Sequence, residues 1–372
     1  MLREDNTSAC LRPMTLTQLT CTRFRCLADT DFRPGPGLNV VRGANAQGKT
    51  SLLEALLYLA TARSHRTPRE TELVRYGEEG FRIAARVDRV DRTITLDAVW
   101  QQGVKRFRVN GVAQPRLSDI LGKMNVVSFF TEDIGILRGP ASQRRRMMDI
   151  ELSKIDPEYL RALQRYRQVL RQRNELLRQE RPAPALLDAW DAQLAEYGAV
   201  LMKARAAFVE HLGRAAACFY RHIAGETERI EVVYRPDIKL DASIEDTVAD
   251  ARDADLKQGM TTRGPHRDEM ELGINDRSAR YFASQGQQRT GALALKLAAV
   301  DLARRQAGEY PVLALDDVLS ELDAARAARL IKAIPAGVQS VVTVTDASGI
   351  DAWAHSDCRR FRILEGCIEE EK

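Results

Sequence analysis

An eight-residue motif near the N-terminal end constrains the fold of this chain more than any other part of the sequence. The pattern G-x-x-x-x-G-K-[ST] is matched at every position by Gly43-Ala44-Asn45-Ala46-Gln47-Gly48-Lys49-Thr50. An apolar run at 38–42 precedes the motif, and leucines at helical spacing follow it as far as Ala62. In such a strand–loop–helix, backbone N–H groups surround a phosphate, the lysine reaches the β- and γ-phosphates, and the threonine hydroxyl binds Mg²⁺. The sequence therefore predicts an α/β domain with a nucleotide site at 43–50, to which we add the next residue, Ser51.

A second candidate element lies in the C-terminal half, where an apolar run ends in two acids. Residues 312–315 are predicted to form a strand, and Asp316 and Asp317 follow it. A phosphate loop of this kind requires a carboxylate on a neighbouring strand to orient Mg²⁺. We expect Asp316 to hold the metal together with Thr50, and Asp317 to act as the catalytic group that polarises the attacking water. The alternative is that the two acids only end a strand.

The third element is the hexapeptide S-Q-G-Q-Q-R, which precedes a predicted helix at 290–305. Its candidate residues are Ser284, Gly286 and Gln287, because a small hydroxyl and a glycine at a helix N-terminus form a nest for anions. The phosphate loop already encloses one nucleotide, so the nest would contact a nucleotide bound to another subunit. The hexapeptide also fits an ordinary helix N-cap.

The spacing of apolar residues divides the chain into a mixed α/β part and a helical insertion. Alternation between 81 and 112, with an Asn110-Gly111 turn, predicts an antiparallel sheet. Spacing of three and four residues from 160 to 219, interrupted by prolines at 182–184, predicts a short antiparallel helical hairpin. Residues 237–258 are predicted to be rich in loops. The expected segments are a disordered extension at 1–13, the first part of the α/β domain at 14–138, the helical insertion at 139–258 and the second part of the α/β domain at 259–372.

Composition excludes several classes of protein. Of the 372 residues, 44% are hydrophobic and 29% are charged, which is typical of a folded protein. No run of uncharged apolar residues is long enough for a membrane helix, and the first residues do not resemble a secretory signal. A cytoplasmic protein without a membrane partner is therefore expected. The 6 cysteines form no C-x-x-C pair and the 5 histidines are not spaced as ligands, so neither a zinc site nor a disulfide framework is expected.

Arginines cluster at the start of the helical insertion. Arg144, Arg145 and Arg146 are consecutive, and further arginines follow along the next predicted helix. The net charge of +4 is too small to establish a nucleic-acid partner by itself. An arginine stripe of this kind would bind DNA phosphates with salt-dependent, sequence-independent affinity, and the alternative is a solvated helix face. Arg63 and Arg66, after the phosphate-loop helix, are further candidates for contact with DNA or nucleotide.

In this order, the motifs resemble the ABC-type ATPases of the SMC class and, more narrowly, the RecF family of bacterial recombination and repair mediators. The resemblance spans nearly the whole chain, from Met14 to Cys367. It rests on GANAQGKTSLLEAL (43–56), RSHR (63–66), VVSFFTEDIGILRGPASQRRRMMD (126–149), RGPHRDE (263–269), SQGQQR (284–289) and LALDDVLSELD (313–323). It implies an α/β fold: an ABC-type ATPase head, with a mixed sheet, helices and an antiparallel β lobe, and an inserted short antiparallel helical-hairpin arm.

The resemblance also implies a function. It implies a weak, DNA-stimulated ATPase that acts as a switch, with ATP and Mg²⁺ as cofactors. It implies an ATP-dependent homodimer in which Ser284 and Gly286 contact the γ-phosphate across the interface, and binding to duplex DNA or single-strand/duplex junctions. The implied partners are RecO and RecR, with RecA loaded downstream, and the implied location is the cytoplasm, at the nucleoid when active.

Three positions depart from the wider ABC pattern. Asp317 stands where a glutamate is usual, which fits slow hydrolysis. The usual switch histidine has no counterpart in 342–348, where Thr345 or Asp346 occupies its place. The usual glutamine of the loop between the lobes is also missing, and Glu132 or Asp133 stands near its place. The alternatives are an ABC-type or SMC-like ATPase clamp with another DNA-related or transport partner, and an ATP-using enzyme such as a kinase.

Overall fold

A computed structural model describes residues 13–319, 322–345 and 358–371. The chain divides into two units, the first formed by residues up to 133 together with those from 299 onward, and the second by 134–298. The expected extension at 1–13 lies, apart from Pro13, outside the described residues. Residues 259–298, which we expected in the head, belong to the second unit. The assignment of head and arm segments remains a prediction.

The first unit contains two sheets and the helices between and beside them. Its strands are β1 (Thr15–Thr22), β2 (Thr30–Phe32), β3 (Leu38–Arg42), β4 (Gly80–Asp88), β5 (Thr93–Gln101), β6 (Val104–Val109), β7 (Val112–Ala113), β8 (Val126–Phe129), β12 (Val312–Leu315), β13 (Ser340–Val344), β14 (Arg359–Leu364) and β15 (Cys367–Glu371). Its complete helices are α1 (Lys49–Thr61) and α10 (Ala324–Ala333). Short 3₁₀ turns lie at Glu70–Leu73, Leu117–Asp119 and Thr131–Ile134.

The sheet that positions the site is mostly parallel, in the order β15-β14-β3-β13-β12-β8. Strands β8, β12 and β13 are buried along their whole length because both faces of the sheet are covered. The pairs β12–β13, β13–β3, β12–β8 and β14–β3 are parallel, and only β14–β15 is antiparallel. The carboxyl ends of β3, β12 and β13 therefore lie at one edge of the sheet, where ligands bind in open α/β sheets.

The second sheet of this unit is antiparallel, in the order β2-β1-β4-β5-β6-β7. Its strands alternate between buried and exposed residues, as the sequence predicts. The predicted Asn110-Gly111 turn is also present: both residues have positive φ, 51° and 80°, and they connect Val109 to its partner Val112. Helix α1 packs on this sheet through Tyr58, whose ring lies 5.8 Å from that of Phe107.

The second unit is mainly helical. Its elements are α2 (Gly135–Arg138), α3 (Ala141–Ile155), α4 (Pro157–Leu177), α5 (Pro184–Ala224), β9 (Ile230–Arg235), α6 (Ile244–Asp250), α7 (Arg252–Gln258), a 3₁₀ turn (Pro265–Arg267), β10 (Glu269–Ile274), β11 (Arg277–Ser278), α8 (Ala279–Phe282) and α9 (Gln285–Ala307), which continues past the boundary at 298. Helices α4 and α5 form the predicted antiparallel hairpin. None of the described helices has the length and apolar character that a bilayer crossing requires.

The prediction of a loop-rich segment at 237–258 is wrong, because α6 and α7 occupy most of it. Ser243 caps α6 by accepting a hydrogen bond from the Asp246 N–H at 3.1 Å. Asp255 on α7 is fully buried and accepts from Arg173 of α4 at 2.6 Å. This polar segment is helical because it is held by capping and buried ion pairing, which hydrophobic periodicity does not reveal.

Candidate nucleotide site

The phosphate loop joins β3 to α1, and its backbone has the shape the motif predicts. Gly48 has φ 112° and Ala46 φ 65°, so the chain turns through left-handed conformations before the helix begins. A Cβ atom on Gly43 would lie 2.6 Å from the carbonyl oxygen of Ile363, so only glycine fits there. The first turn of α1 carries no acidic side chain, which leaves the positive end of the helix dipole available to an anion.

Lys49 places its ammonium group inside this loop. Its Nζ donates to the carbonyl oxygens of Gly43 at 2.6 Å and Ala44 at 2.9 Å, and the residue is 6% exposed. Burial lowers the pKa of Lys49, and the charges of Asp317 and Asp316 oppose that effect. The loop therefore holds a buried cation close to two carboxylates, which is the environment in which a polyphosphate gains most from a positioned charge.

Asp316 is the residue that connects the two ends of the chain. Its Oδ2 accepts from the Thr50 hydroxyl at 2.7 Å, and its Oδ1 accepts from the Thr343 hydroxyl at 2.7 Å. Burial raises the pKa of Asp316, although these two hydrogen bonds lower it. The structure thus brings together the predicted metal-binding pair, Thr50 and Asp316, while their role as ligands remains a prediction.

Asp317 lies directly after Asp316 in a left-handed conformation with φ 48°. Aspartate is one of the few non-glycine residues that tolerate this region, at a cost of about 1–2 kcal/mol. Its N–H donates to the Thr343 hydroxyl at 2.9 Å, which fixes the turn at the end of β12. The backbone therefore turns out of the direction of β12 at Asp317. The catalytic role of Asp317 stays a prediction.

Sequence reasoning missed Thr343, which contacts both acids. Its hydroxyl is fully buried on β13, the strand next to β12. A hydroxyl residue between two valines in a fully buried strand is the signal that points to it. Of the two residues predicted at the place of the usual switch histidine, Thr345 directly follows β13 and Asp346 lies outside the described residues.

Mg²⁺ fits the donors that this site provides. Within the described ranges, no group of three or more His, Cys, Asp or Glu side chains could enclose a metal by itself. Thr50 and Asp316 supply oxygen atoms, as hard cations require, and Mg²⁺ is commonly bound by one or two carboxylates together with phosphate oxygens and water. The site is therefore suited to a metal that arrives with a nucleotide.

A turn near the C-terminal end also holds the phosphate loop, and the sequence analysis did not anticipate it. The Gln47 carbonyl oxygen accepts from the Gly366 N–H at 3.1 Å, and the Gln47 Oε1 accepts from the Glu365 N–H at 2.5 Å. Both donors belong to the turn between β14 and β15. The middle of the loop is thus fixed by a hairpin turn 318 residues away in sequence.

The RSHR segment surrounds a buried glutamate at the centre of α1. Burial alone would raise the pKa of Glu54, but hydrogen bonds from Arg25 and Ser64 outweigh it and hold the pKa low. Arg66 lies 3.6 Å from the Glu54 carboxylate, and both Arg63 and Arg66 are exposed. His65 stacks on Phe130 with ring centroids 3.6 Å apart, next to the turn that contains Glu132 and Asp133. Both arginine candidates are therefore accessible to a ligand.

In the second unit, the predicted nest forms the start of α9. The Ser284 N–H donates to the Gln287 Oε1 at 2.9 Å, and the Gln287 N–H donates to the Ser284 Oγ at 3.3 Å. This reciprocal pair is a capping box, so the N-cap interpretation is correct for the local structure. The helix begins at Gln285 and places Gly286 and Gln287 in its first turn, five residues before the predicted start. The contact with a partner's nucleotide remains a prediction.

The three consecutive arginines have different environments. Arg144 is 4% exposed and donates to Glu269 at 2.7 Å and to the carbonyl oxygens of Ile136 and Gly139. Arg145 is half-buried and Arg146 is exposed on α3. Contact with DNA requires an accessible guanidinium, so Arg144 is assigned an internal role and the proposal of DNA contact is kept for Arg145 and Arg146.

Known proteins resemble this chain over nearly its full length. The family model described as RecF/RecN/SMC N terminal domain matches residues 15–351. Proteins named DNA replication and repair protein RecF from Oceanobacillus iheyensis and Lacticaseibacillus casei are 38% and 39% identical to it over 368 residues, which is 95% of this chain and 100% and 99% of theirs. A solved structure of the recombination mediator protein RecF with ATP, described as part of the RecFOR pathway, is 32% identical with a TM-score of 0.90, over 99% of this chain and 100% of that one.

More distant structures share the fold alone. An SMC head bound to the C-winged helix domain of ScpA is 14% identical, with a TM-score of 0.58 over 96% of each chain. Together with the closer matches, it confirms the expected ABC-type ATPase head fold. On the evidence of its phosphate loop, its paired acids and these full-length similarities, the chain belongs to the RecF family.

Proposed function

We propose that this protein is an ATP-dependent DNA-binding protein of recombinational repair and replication restart. The observation that carries the proposal is the 2.7 Å hydrogen bond between Thr50 at the phosphate loop and Asp316 at the end of β12. It joins two motifs 266 residues apart into one site suited to a metal–nucleotide complex. Relatives named DNA replication and repair protein RecF, and a RecF structure with ATP, support the same conclusion.

The residues of the site have separate tasks in this proposal. The loop N–H groups and the α1 N-terminus bind the phosphates, and Lys49 exchanges its two carbonyl partners for β- and γ-phosphate oxygens. When bound, Mg²⁺ supplies charge neutralisation of the phosphates. Thr50 and Asp316 hold that ion, and Asp317 orients and polarises the water. Aspartate is one methylene shorter than the usual glutamate, which fits a weak ATPase that acts as a switch.

The proposed active form is an ATP-gated homodimer. Ser284, Gly286 and Gln287 would contact the γ-phosphate held by the phosphate loop of the partner subunit. The capping box supports this because it fixes the Ser284 hydroxyl and the first N–H groups of α9 in one rigid turn. Closure of the dimer would thus depend on ATP being intact.

The proposed ligand of the closed dimer is duplex DNA or a single-strand/duplex junction. The candidate phosphate contacts are the exposed Arg63, Arg66 and Arg146 and the half-buried Arg145. The RecFOR pathway named for the solved relative supports RecO and RecR as partners, with RecA loaded downstream. In this proposal the protein works in the cytoplasm, at the nucleoid.

The test compares Asp317→Asn with Lys49→Ala in DNA binding and sedimentation, with ATP and Mg²⁺. Asp317→Asn keeps nucleotide binding and loses water polarisation, so we expect persistent dimers, DNA bound over a series of salt concentrations, and ATP hydrolysis at least tenfold below the wild-type rate. Lys49→Ala removes the only positioned ammonium of the loop, so dimers and ATP-stimulated DNA binding should both disappear.

Two results would contradict the proposal. Wild-type rates of hydrolysis by Asp317→Asn would remove its catalytic role. A wild-type protein that stays monomeric with ATP and binds no DNA, while transferring phosphate to a small acceptor, would instead establish a kinase.

A further inference from the structure

A pocket of about 230 Å³ opens between α3, α4 and α5 in the second unit. Four of its eleven lining residues are arginines and one is an acid: Arg145, Arg146, Arg167, Arg205 and Asp149. Its remaining wall is formed mainly by leucines and by Tyr166. The lining of the pocket therefore combines basic side chains with apolar ones.

The single acid of the pocket is already neutralised. The Asp149 Oδ1 accepts from Arg205 Nη2 at 2.8 Å, and its Oδ2 accepts from Arg167 Nη2 at 2.7 Å. Arg205 is 2% exposed and also donates to Asp268 at 2.8 Å, so its own charge is balanced within the unit. The excess positive charge of the pocket thus belongs to Arg145 and Arg146 on α3.

Arg145 is an unfavourably placed cation. Burial lowers its pKa, and the neighbouring charge of Arg205 lowers it further, although Glu269, Asp268 and Asp149 act in the opposite sense. Its Nη1 donates to the backbone carbonyl oxygen of Asp268 at 2.7 Å, which is a neutral partner. An anion in the pocket would stabilise the charged form of Arg145 and so offset both the effect of burial and the repulsion by Arg205.

The size of the pocket limits the anion to a small group. Pockets for whole small-molecule ligands measure about 300–1,000 Å³, so this one has room for a single phosphate rather than a nucleotide. Guanidinium groups of α3 and α4 line it together, and guanidinium is well suited to binding phosphate oxygens. The apolar wall, which includes Leu163 and Leu170, fits the sugar attached to that phosphate.

We propose that this pocket, between Arg145, Arg146 and Arg167, binds one backbone phosphate of a nucleic acid. The proposal rests on the DNA-binding function proposed above and assigns part of it to the helical unit. The anchored phosphate fixes where the helical unit contacts the strand and carries no base specificity.

The test uses the full-length protein with ATP and a fluorescent duplex over a series of salt concentrations. Arg146→Gln should reduce the slope of log affinity against log salt by about one, as expected for one lost phosphate contact. Ser142→Glu places a negative charge at the pocket in the first turn of α3, where an acid stabilises the helix. We expect it to weaken DNA binding about tenfold without lowering the thermal unfolding temperature.

The matched control is Arg221→Gln, which removes the same charge from an exposed position of α5 outside the pocket lining. It should leave the salt slope unchanged. Equal losses in Arg221→Gln and Arg146→Gln, or wild-type DNA binding by Ser142→Glu, would contradict the assignment of the phosphate to this pocket and leave the proposed function intact. A wild-type protein that binds no DNA would contradict the proposed function itself.

Two further probes separate other occupants. Inorganic phosphate and a poly-glutamate peptide are titrated into Lys49→Ala protein, in which the phosphate loop is impaired, with and without Ser142→Glu. Pocket-dependent binding of either probe, together with DNA binding that Ser142→Glu does not change, would overturn the assignment to nucleic acid.

Discussion

At the residue scale, Asp316 shows a conflict between stability and function. It is 8% exposed, and burial raises its pKa above the ordinary value even though two threonine hydroxyls donate to it. A carboxyl group with a raised pKa in the folded state binds protons more readily there than in the unfolded chain. Its contribution to stability is therefore lost as pH rises from the ordinary carboxyl pKa through the raised one.

We predict that Asp316→Asn stabilises the nucleotide-free protein at neutral pH, because a neutral amide of the same shape avoids the cost of burying a charge. The gain should vanish at pH values below the ordinary carboxyl pKa, where the native group is protonated in both states. Urea unfolding at a series of pH values measures this, and Mg²⁺-dependent ATP hydrolysis should fall at least a hundredfold. An Asp316→Asn protein that is less stable at pH 7 would show that the two threonine hydrogen bonds outweigh burial.

At the scale of elements, the β14–β15 hairpin holds the phosphate loop in place. Gly366 lies in its turn with φ 79°, and its carbonyl oxygen accepts from the Ala28 N–H at 3.1 Å. A Cβ atom there would lie 2.2 Å from the Cys26 carbonyl oxygen, so Gly366→Ala must displace the turn. We predict a several-fold loss of ATP affinity in addition to a loss of stability, because Gln47 loses its two backbone donors. Fluorescent ATP titration and urea unfolding measure the two effects.

Gly111→Ala is the matched control for this variant. Gly111 has φ 80° in the β6–β7 turn, and no atom lies within 4 Å of the added Cβ. It therefore carries the same left-handed strain, about 1–2 kcal/mol, without the clash. ATP affinity should stay at the wild-type value, and an equal loss of affinity in both variants would remove the role of the hairpin.

At the scale of the whole molecule, the proposed switch depends on a second copy of the chain. We predict that Ser284→Arg binds ATP as a monomer with near-normal affinity, because its own phosphate loop is intact, whereas dimerisation, ATPase and ATP-stimulated DNA binding fall together. Sedimentation with ATP and Mg²⁺ measures the dimer. Loss of ATP binding by the isolated monomer would contradict the assignment of Ser284 to the partner's nucleotide.

Ser243→Arg controls for the loss of a helix cap. Ser243 also accepts a hydrogen bond from the third N–H of its helix, in the same unit, but outside the S-Q-G-Q-Q-R motif. Its replacement should cost a similar cap energy, about 1 kcal/mol, and leave the dimer unaffected.

Mixing Ser284→Arg with Lys49→Ala protein restores at most one composite site per dimer. Hydrolysis of ATP by the mixture would directly support contact between Ser284 and the partner's nucleotide.

The sequence by itself determined those conformations of this protein that depend on residues close together in the chain. The glycines and lysine of residues 43–50, the Asn110-Gly111 turn and the 3–4 spacing of α4 and α5 each specify a conformation within one or two turns of chain. These predictions were confirmed because backbone sterics and burial of one helix face act over short distances. The helices α6 and α7 were missed, since their cap and their buried ion pair replace the apolar periodicity that signals a helix.

Only the tertiary structure decided the remaining contacts between distant residues of the site. The sequence by itself indicated that Asp316 would meet Thr50, because a phosphate loop requires a carboxylate, but it could not indicate Thr343, which hydrogen bonds to Asp316 and Asp317. It could not indicate that the Glu365–Gly366 turn donates hydrogen bonds to Gln47. Nor could it indicate that Arg144 is buried in an ion pair with Glu269 while Arg146 is exposed. Hydrogen bonds between residues far apart depend on strand order and side-chain packing, which leave no periodic trace in a single sequence.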